Sequence, residues 1–257
     1  MWEMTDAVAE TDLLHDARSL IDLAAERGIA LRLVGGLAIR VLTPDLPPRR
    51  RIGQDLDFAS ASSTRRALIE MLTDQGYEPD KNFNALYGNK QLYFSHGNSG
   101  LAIDVLIDKL HMCHTLEFAD RLMRMPYTLD AVDLLMSKLQ IVELNEKDAD
   151  DCLRLLVTFR LEDSDAADAI DLRVFRSLVS DDWGWWRTVT LNLDRISALL
   201  GDDARPAIEG GKLDPRTQLQ TLSEVAESAP KSRRWKMRAR VGERKRWYDV
   251  PEETAHE

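Results

Sequence analysis

The chain's 257 residues, 44% hydrophobic and 30% charged with a formal net charge of −10, suffice for one large domain or for a core with a helical appendage. This balance excludes a helical membrane span, because no apolar run approaches the roughly 20 residues a bilayer requires, and it argues against a nucleic-acid footprint over the whole surface. Two cysteines, Cys113 and Cys152, cannot build a disulfide framework, and the acidic start MWEMTDAVAETD lacks the regions of a secretory signal, so a cytoplasmic protein with reduced thiols is expected.

TDLLHDARSLIDLAAERGI spaces Leu13, Ala17, Leu20, Ile21 and Ala24 as one helix face and stops at Gly28. ALRLVGG reads as a buried strand over 30–34 followed by a Gly35-Gly36 turn, and GLAIRVL as a short helix. TPDLPPRRR has three prolines and is read as a loop bearing Arg49, Arg50 and Arg51. DLDFA is the next strand, and STRRALIEMLTDQGY an amphipathic helix ended by Gly76. LYGNKQLYFS suggests a hairpin turned at Gly88 and Asn89, and GLAIDVLID a central strand. From Thr128 four helical patterns follow: TLDAVDLLMSKLQIVEL, EKDADDCLRLLVTF, AADAIDLRVFRSLV and WWRTVTLNLDRISALL. The expected fold is α+β, a mixed sheet flanked by helices with a C-terminal helical region. Residues 1–125 form its core, 126–205 a helical domain, and 206–257 a polar, increasingly basic extension.

The chemistry gathers on two strands. Side chains alternate along a strand, which puts Asp55 and Asp57 on one face while Leu56 and Phe58 enter the core. Asp104 interrupts an apolar strand, a costly position for a carboxylate unless it lies at a strand end, is paired, or binds a cation. Were the two strands neighbours, three carboxylates would converge with no Lys or His close in sequence to balance them. Oxygen ligands of this kind suit Mg²⁺, which accepts one or two carboxylates plus substrate phosphates. The Gly35-Gly36 turn leaves backbone N–H groups open at a helix start, where an anion such as a triphosphate is favoured.

This ordered set, VGGLAIRVL, RIGQDLDF and the later AIDVL, resembles the nucleotidyltransferase (polymerase β-like) superfamily. Its pattern is a Gly-Gly or Gly-Ser turn, an acidic-hydrophobic-acidic triplet and a third carboxylate between hydrophobic residues. With KLQIVELNEKDADDCLRLL the likeness runs on to about Leu156 and is nearest to the AbiEii-type and MenT-type branch, where an Arg before the acidic triplet and later Lys and Lys-Asp motifs recur. The resemblance implies that Asp55 and Asp57 bind metal and that Asp104 binds metal or acts as base. It implies that Gly35, Gly36, Arg51, Lys138 and Asp148 contact the nucleotide. A two-metal Mg²⁺ site would serve transfer of a nucleoside monophosphate from an NTP to an acceptor, whether RNA, protein or small molecule. In toxin-like relatives the partner would be an antitoxin protein. A different class of reading is a non-catalytic nucleotide-binding or regulatory protein that keeps the fold. Two departures bear on substrate choice: 18 residues, Leu37 to Gln54, separate Gly36 from Asp55, and Gly53 and Glu143 stand where many relatives have a hydroxyl and a basic residue.

Read without any family, Lys138 sits among Ala131, Leu134, Leu135, Ile141 and Val142 at helical spacing, so its ammonium needs an acceptor, solvent or phosphate. Asp148 and Asp151 share a helix face near its start. HMCH, His111 to His114, lacks the four spaced ligands of a zinc site, and WGWW, Trp183 to Trp186, reads as packing. The tail Lys231 to Arg246 carries nine Lys or Arg against Glu243, then Trp247 and Tyr248. Two readings stand for it: a solvated segment or one lying on its own acidic body, and an RNA-binding segment with aromatic stacking.

Overall fold

The protein is described from a computed structural model covering residues 3–48, 55–97, 101–201 and 205–250, with side chains from residue 12 onward. The chain divides into two compact units. The first comprises Met1–Pro44, Pro48–Leu110 and Glu117–Asp130, and the second Asp45–Pro47, His111–Leu116 and Ala131–Glu257. The fold is α+β, with a mixed sheet flanked by helices.

In the first unit α1 (Glu3–Glu26) buries Ala17, Leu20, Ile21 and Ala24, the face its spacing predicts, and packs on β1 (Leu31–Leu33). There follow α2 (Gly35–Leu42), β2 (Asp55–Ser60), α3 (Arg65–Asp74), β3 (Tyr77–Pro79), α4 (Lys81–Tyr87), β4 (Gln91–His96) and β5 (Ala102–Ile107). The five strands form one sheet in the order β1-β2-β5-β4-β3. β2 and β5 are parallel, and the other pairs are antiparallel. One face is largely apolar: Leu56, Phe58, Ile103, Val105, Leu92 and Phe94 are all buried there, and register lines them up across the sheet. This face supplies the hydrophobic driving force, each large side chain contributing about 1.5–3 kcal/mol on burial. The opposite face is then available to polar groups without cost to the core.

The Gly88–Asn89 hairpin expected from LYGNKQLYFS is not formed. Asp80 accepts a hydrogen bond from the Phe83 N–H at 2.8 Å and caps a helix instead, α4, which ends at Gly88. The Asn84 side chain then bonds both the N–H (2.8 Å) and the C=O (3.0 Å) of Tyr93, substituting for a strand partner. The antiparallel neighbours of β4 are β3 and β5.

Strands β6 (Lys109–His111) and β7 (Thr115–Glu117) pair as a short ribbon. The second unit holds α5 (Ala131–Leu139), α6 (Glu146–Thr158), β8 (Arg160–Glu162), β9 (Ala169–Asp171), α7 (Leu172–Asp181), α8 (Trp183–Leu200), α9 (Pro215–Ser228) and α10 (Arg233–Ala239). AADAIDLRVFRSLV, expected as a single helix, begins as β9 because Asp171 caps α7 by accepting from the Arg173 N–H. In the polar extension α9 has an Asp214-Pro215 start and buries Leu219, Leu222 and Ala226. The Asn192 amide, buried in α8, donates to the carbonyls of Leu139 (2.9 Å) and Ile141 (2.8 Å), which satisfies the C-terminal end of α5.

Candidate active site

The polar face of the first unit's sheet is built row by row from strand register. Asp57 pairs with Asp104 across β2 and β5, and Asp104 with Tyr93 across β5 and β4, so these three side chains form one cross-strand row. Asp55 stands one row away, opposite Ala102, whose methyl leaves the row open. Asp55 and Asp57 are exposed, while Asp104 is only partly accessible.

The Asp104 carboxylate is held asymmetrically. Its Oδ2 accepts a hydrogen bond from Gln91 Nε2 at 2.5 Å, and its Oδ1 is buried with no hydrogen-bond partner. Burial pushes its pKa up, the Gln91 bond pulls it back, and the charges of Asp57 and Asp55 push it up again, to about 7. Tyr93, next in the row, is also pushed up, first by burial and then by Asp55 and Asp104. A buried, unsatisfied carboxylate oxygen beside further carboxylates destabilises the fold on its own.

The turn before α2 is shaped around the same row. The Val34 N–H donates to the Asp57 carbonyl at 2.9 Å, tying the end of β1 to β2. Gly35 adopts φ +65°, and a Cβ there would meet Asp57 Oδ2 at 2.8 Å. Both the backbone conformation and the space therefore require glycine. Val34, the N-cap of α2, supplies no side-chain bond to the helix start, which lies beside the Asp57 carboxylate.

Among the described residues no three or more His, Cys, Asp or Glu side chains are gathered closely enough to form a metal cage. The donors present do fit a divalent cation completed from outside the protein. Asp55, Asp57 and Asp104 offer hard carboxylate oxygens, one of them without a partner, and a Mg²⁺ site of this kind takes one or two carboxylates and fills the rest with water and substrate phosphate.

In the second unit Lys138 and Asp148 come together. Lys138 Nζ lies 2.7 Å from Asp148 Oδ1 and 3.1 Å from Asp151 Oδ2, and the lysine and both carboxylates are almost completely enclosed. Burial alone would lower the lysine pKa, but Asp151 and Asp148 outweigh it, and the net shift is upward. The acceptor that the apolar surroundings of Lys138 demand is thus a pair of carboxylates. Cys152, fully buried, has its thiol pKa raised by burial and then by Asp151, which leaves it unreactive. Arg51 lies outside the described residues.

The tail's rings are used internally. Trp235 meets Trp186 edge-on at 5.2 Å, and Trp247 meets Trp183 at 5.9 Å. Trp247 Nε1 donates to Thr188 Oγ1 at 3.0 Å. That hydroxyl also bonds His114 Nε2 at 2.8 Å, and His114 stacks on Trp185. Burial lowers the His114 pKa to about 4 despite the opposing charges of Asp182 and Asp249, so the ring is neutral. His114 and Cys113 are therefore packed inside, while His111 stays exposed beside Asp249 at 3.7 Å, and of the rings in the stacking reading of the tail Trp235 and Trp247 pack against other tryptophans.

Sequence reasoning did not single out Gln91 and Tyr93. Their placement beside Asp104 depends on the pairing of β4 with β5, which the misplaced hairpin concealed. The pairing of Lys138 with Asp151 was foreshadowed by the shared helix face of Asp148 and Asp151.

No protein-family profile matches the chain, and no curated protein matches it. Among solved structures it is similar to the lincosamide antibiotic adenylyltransferase LnuA in its lincomycin-bound crystal form. The identity is 17% over 53% of this chain and 92% of that one, with a TM-score of 0.40. It is also similar to the antibiotic-resistance factor ANT(2'')-Ia in solution, 14% identical over 58% of this chain and 83% of that one, with a TM-score of 0.39. No helix among the described residues is long and apolar enough to cross a membrane.

Proposed function

We propose that the protein is a nucleotidyltransferase that moves a nucleoside monophosphate from an NTP to an acceptor hydroxyl and releases pyrophosphate. The observation that carries this reading is the Asp57–Asp104 row, with an orphan oxygen on Asp104 and a glycine turn fitted against Asp57. Asp55 and Asp57 would hold a divalent cation, which when bound neutralises the carboxylates together with the charge of the phosphates. The start of α2, at Gly35 and Gly36, would receive phosphate oxygens through backbone N–H groups. Asp104 Oδ1 would take the proton of the acceptor hydroxyl as the new O–P bond forms and the bond to the pyrophosphate oxygen breaks. A cation on Asp55 and Asp57 would relieve the upward push that their charges exert on Asp104, which favours the ionised form that accepts the proton. Gln91 would fix Oδ2 and so direct Oδ1.

The superfamily resemblance adds Arg51, Lys138 and Asp148 as nucleotide contacts. A phosphate reaching Lys138 would have to displace a carboxylate already bound to it. The motifs that favour the AbiEii-type and MenT-type branch bring a toxin held by an antitoxin, and a cytoplasmic setting, into the same proposal.

The test is to incubate the purified chain with Mg²⁺, each of the four α-labelled NTPs, and cell extract separated into RNA, protein and small molecules. Label should move into one fraction with the native chain and into none with Asp57→Asn. Absence of transfer from all four NTPs into all three fractions would overturn the reading.

A further inference from the structure

The residues Lys231 to Arg246 have a net charge of +8, nine cations less Glu243, in a chain of −10, so the remainder of the chain carries −18. The structure sorts these nine cations by what each one does, and one of them, Arg244, donates to the carbonyls of Val241 and Arg240 within the segment. Lys231 lies over the rings of Trp186 (5.8 Å) and Trp235 (5.3 Å), and its ammonium donates to the Ala226 carbonyl at 2.5 Å. Arg238 lies 4.8 Å over Trp183 and donates to the carbonyls of Gly242 and Lys245. These two cations and the rings of Trp235 and Trp247 fasten the segment to α8. Glu243, the only acid in the segment, is paired with Arg187.

The other side of α10 is different. Arg233, Lys236 and Arg240 follow one another at three- and four-residue spacing, which places them on one helix face. All three are exposed, as are Lys245 and Arg246 further on, the latter lying 5.8 Å over the Tyr248 ring. None of these five has an ion-pair partner among the described residues, whereas Arg234 shares Asp181 (3.7 Å) and Asp182 (3.4 Å). The segment is therefore an ordered plate with aromatic rings on its inner side and unbalanced cations on its outer side.

We propose that this outer face is a docking surface for RNA, bound through the phosphate backbone of its helical regions. Three observations select that partner. Like cations held close together on an ordered face favour a polyanion whose charges are equally regular. Single-stranded nucleic acid is held chiefly by stacking on aromatic rings, and here the rings are packed inward. Sequence-specific reading of duplex DNA needs groove-entering side chains such as Asn or Gln beside Arg. The outer positions of α10 and its C-cap hold Arg233, Lys236, Met237 and Arg240 and lack those polar readers, so the face suits a regular phosphate array recognised by shape, as helical RNA is, with duplex DNA as the competitor in the test. Docking does not depend on the transfer activity. That the docked RNA is also the acceptor rests on the proposed function, and the two claims can fail separately.

The test uses the full chain and fluorescence anisotropy with a labelled RNA hairpin, an unstructured RNA of equal length and a DNA duplex, over a series of salt concentrations. Arg233→Gln, Lys236→Gln and Arg240→Gln combined should weaken hairpin binding about tenfold or more and reduce the slope of log affinity against log salt by about 2. The control removes the same charge from the first unit, with Arg66→Gln, Lys81→Gln and Lys109→Gln, and should bind the hairpin like the native chain. Unchanged tryptophan fluorescence will show that the aromatic anchor has survived in both variants. The proposal is overturned by equal loss in the two triple variants, by a native chain that prefers unstructured RNA or duplex DNA, or by one that binds anionic vesicles and no RNA. RNA binding lost in the tail variant while transfer to another acceptor persists would retain the docking surface and reject RNA as the acceptor.

Discussion

Two enclosed charge sites, one in each unit, are solved in opposite ways. In the second unit Lys138 is inserted between Asp148 and Asp151 at 2.7 and 3.1 Å, so the cation and the anions compensate for one another's burial. In the first unit Asp104 is enclosed beside Asp57, held at one oxygen by a neutral amide and left without a partner at the other. Selection for stability alone would produce the first arrangement and remove the second. Under the proposed function, the difference separates a charge cluster that compensates itself from a carboxylate that a bound ligand would compensate.

The largest effect that would test this contrast is expected at Lys138. Replacing it with Met keeps the apolar stem and removes the ammonium between two enclosed carboxylates, so unfolding free energy should fall by about 3–5 kcal/mol, measured by urea titration. A loss below about 1 kcal/mol would mean that the cluster is not a structural pair.

The next effect runs in the opposite direction. The Asp104 pKa rises from an unfolded value of 3.8 to about 7 in the folded chain. Between those values the folded state holds a proton that the unfolded state has released, so metal-free stability falls as pH rises through this window. Asp104→Asn cannot ionise and should escape the fall. In chelator it is expected to exceed the native chain by about 1–3 kcal/mol at pH 8 and to lose the advantage near pH 4, as read from unfolding curves at both pH values. A variant less stable than native at pH 8 would reassign Asp104 to the fold.

The smallest effect calibrates the others. Arg27 meets Asp74 at 2.9 Å with both side chains substantially exposed, and Arg27→Ala should cost no more than about 1 kcal/mol by the same titration.

The contrast was only half legible in the sequence. Period-two alternation in DLDF and AIDV put Asp55, Asp57 and Asp104 on the polar side of their strands, and Gly35-Gly36 was legible as a strand-to-helix turn, although its close fit against Asp57 was not. Those features are local, and local pattern suffices to predict them. Gln91 and Tyr93 reach Asp104 only through strand pairing, and that pairing was hidden by the hairpin read at Gly88–Asn89. The competing signal was the Asp80 cap that turns 81–87 into a helix. At the other end of the chain nine basic residues and the tryptophans among them looked alike in sequence. Which side of the plate each one occupies depends on packing against α8 and is not encoded in composition.

The central claim is that the Asp57–Asp104 row is kept for a cation and a nucleotide. The most direct measurement is a paired melting experiment on the native chain and Asp57→Asn, each in chelator and then with Mg²⁺ and each NTP in turn. In chelator the two should melt within a few degrees of one another, the Asn variant equal or higher. With Mg²⁺ and the preferred NTP at about a hundred times its dissociation constant, the native midpoint should rise by about 5–10 °C and the variant's should not. A native midpoint unmoved by Mg²⁺ with any of the four NTPs, together with an Asn variant melting far below it in chelator, would contradict the account and make the carboxylate row part of the fold.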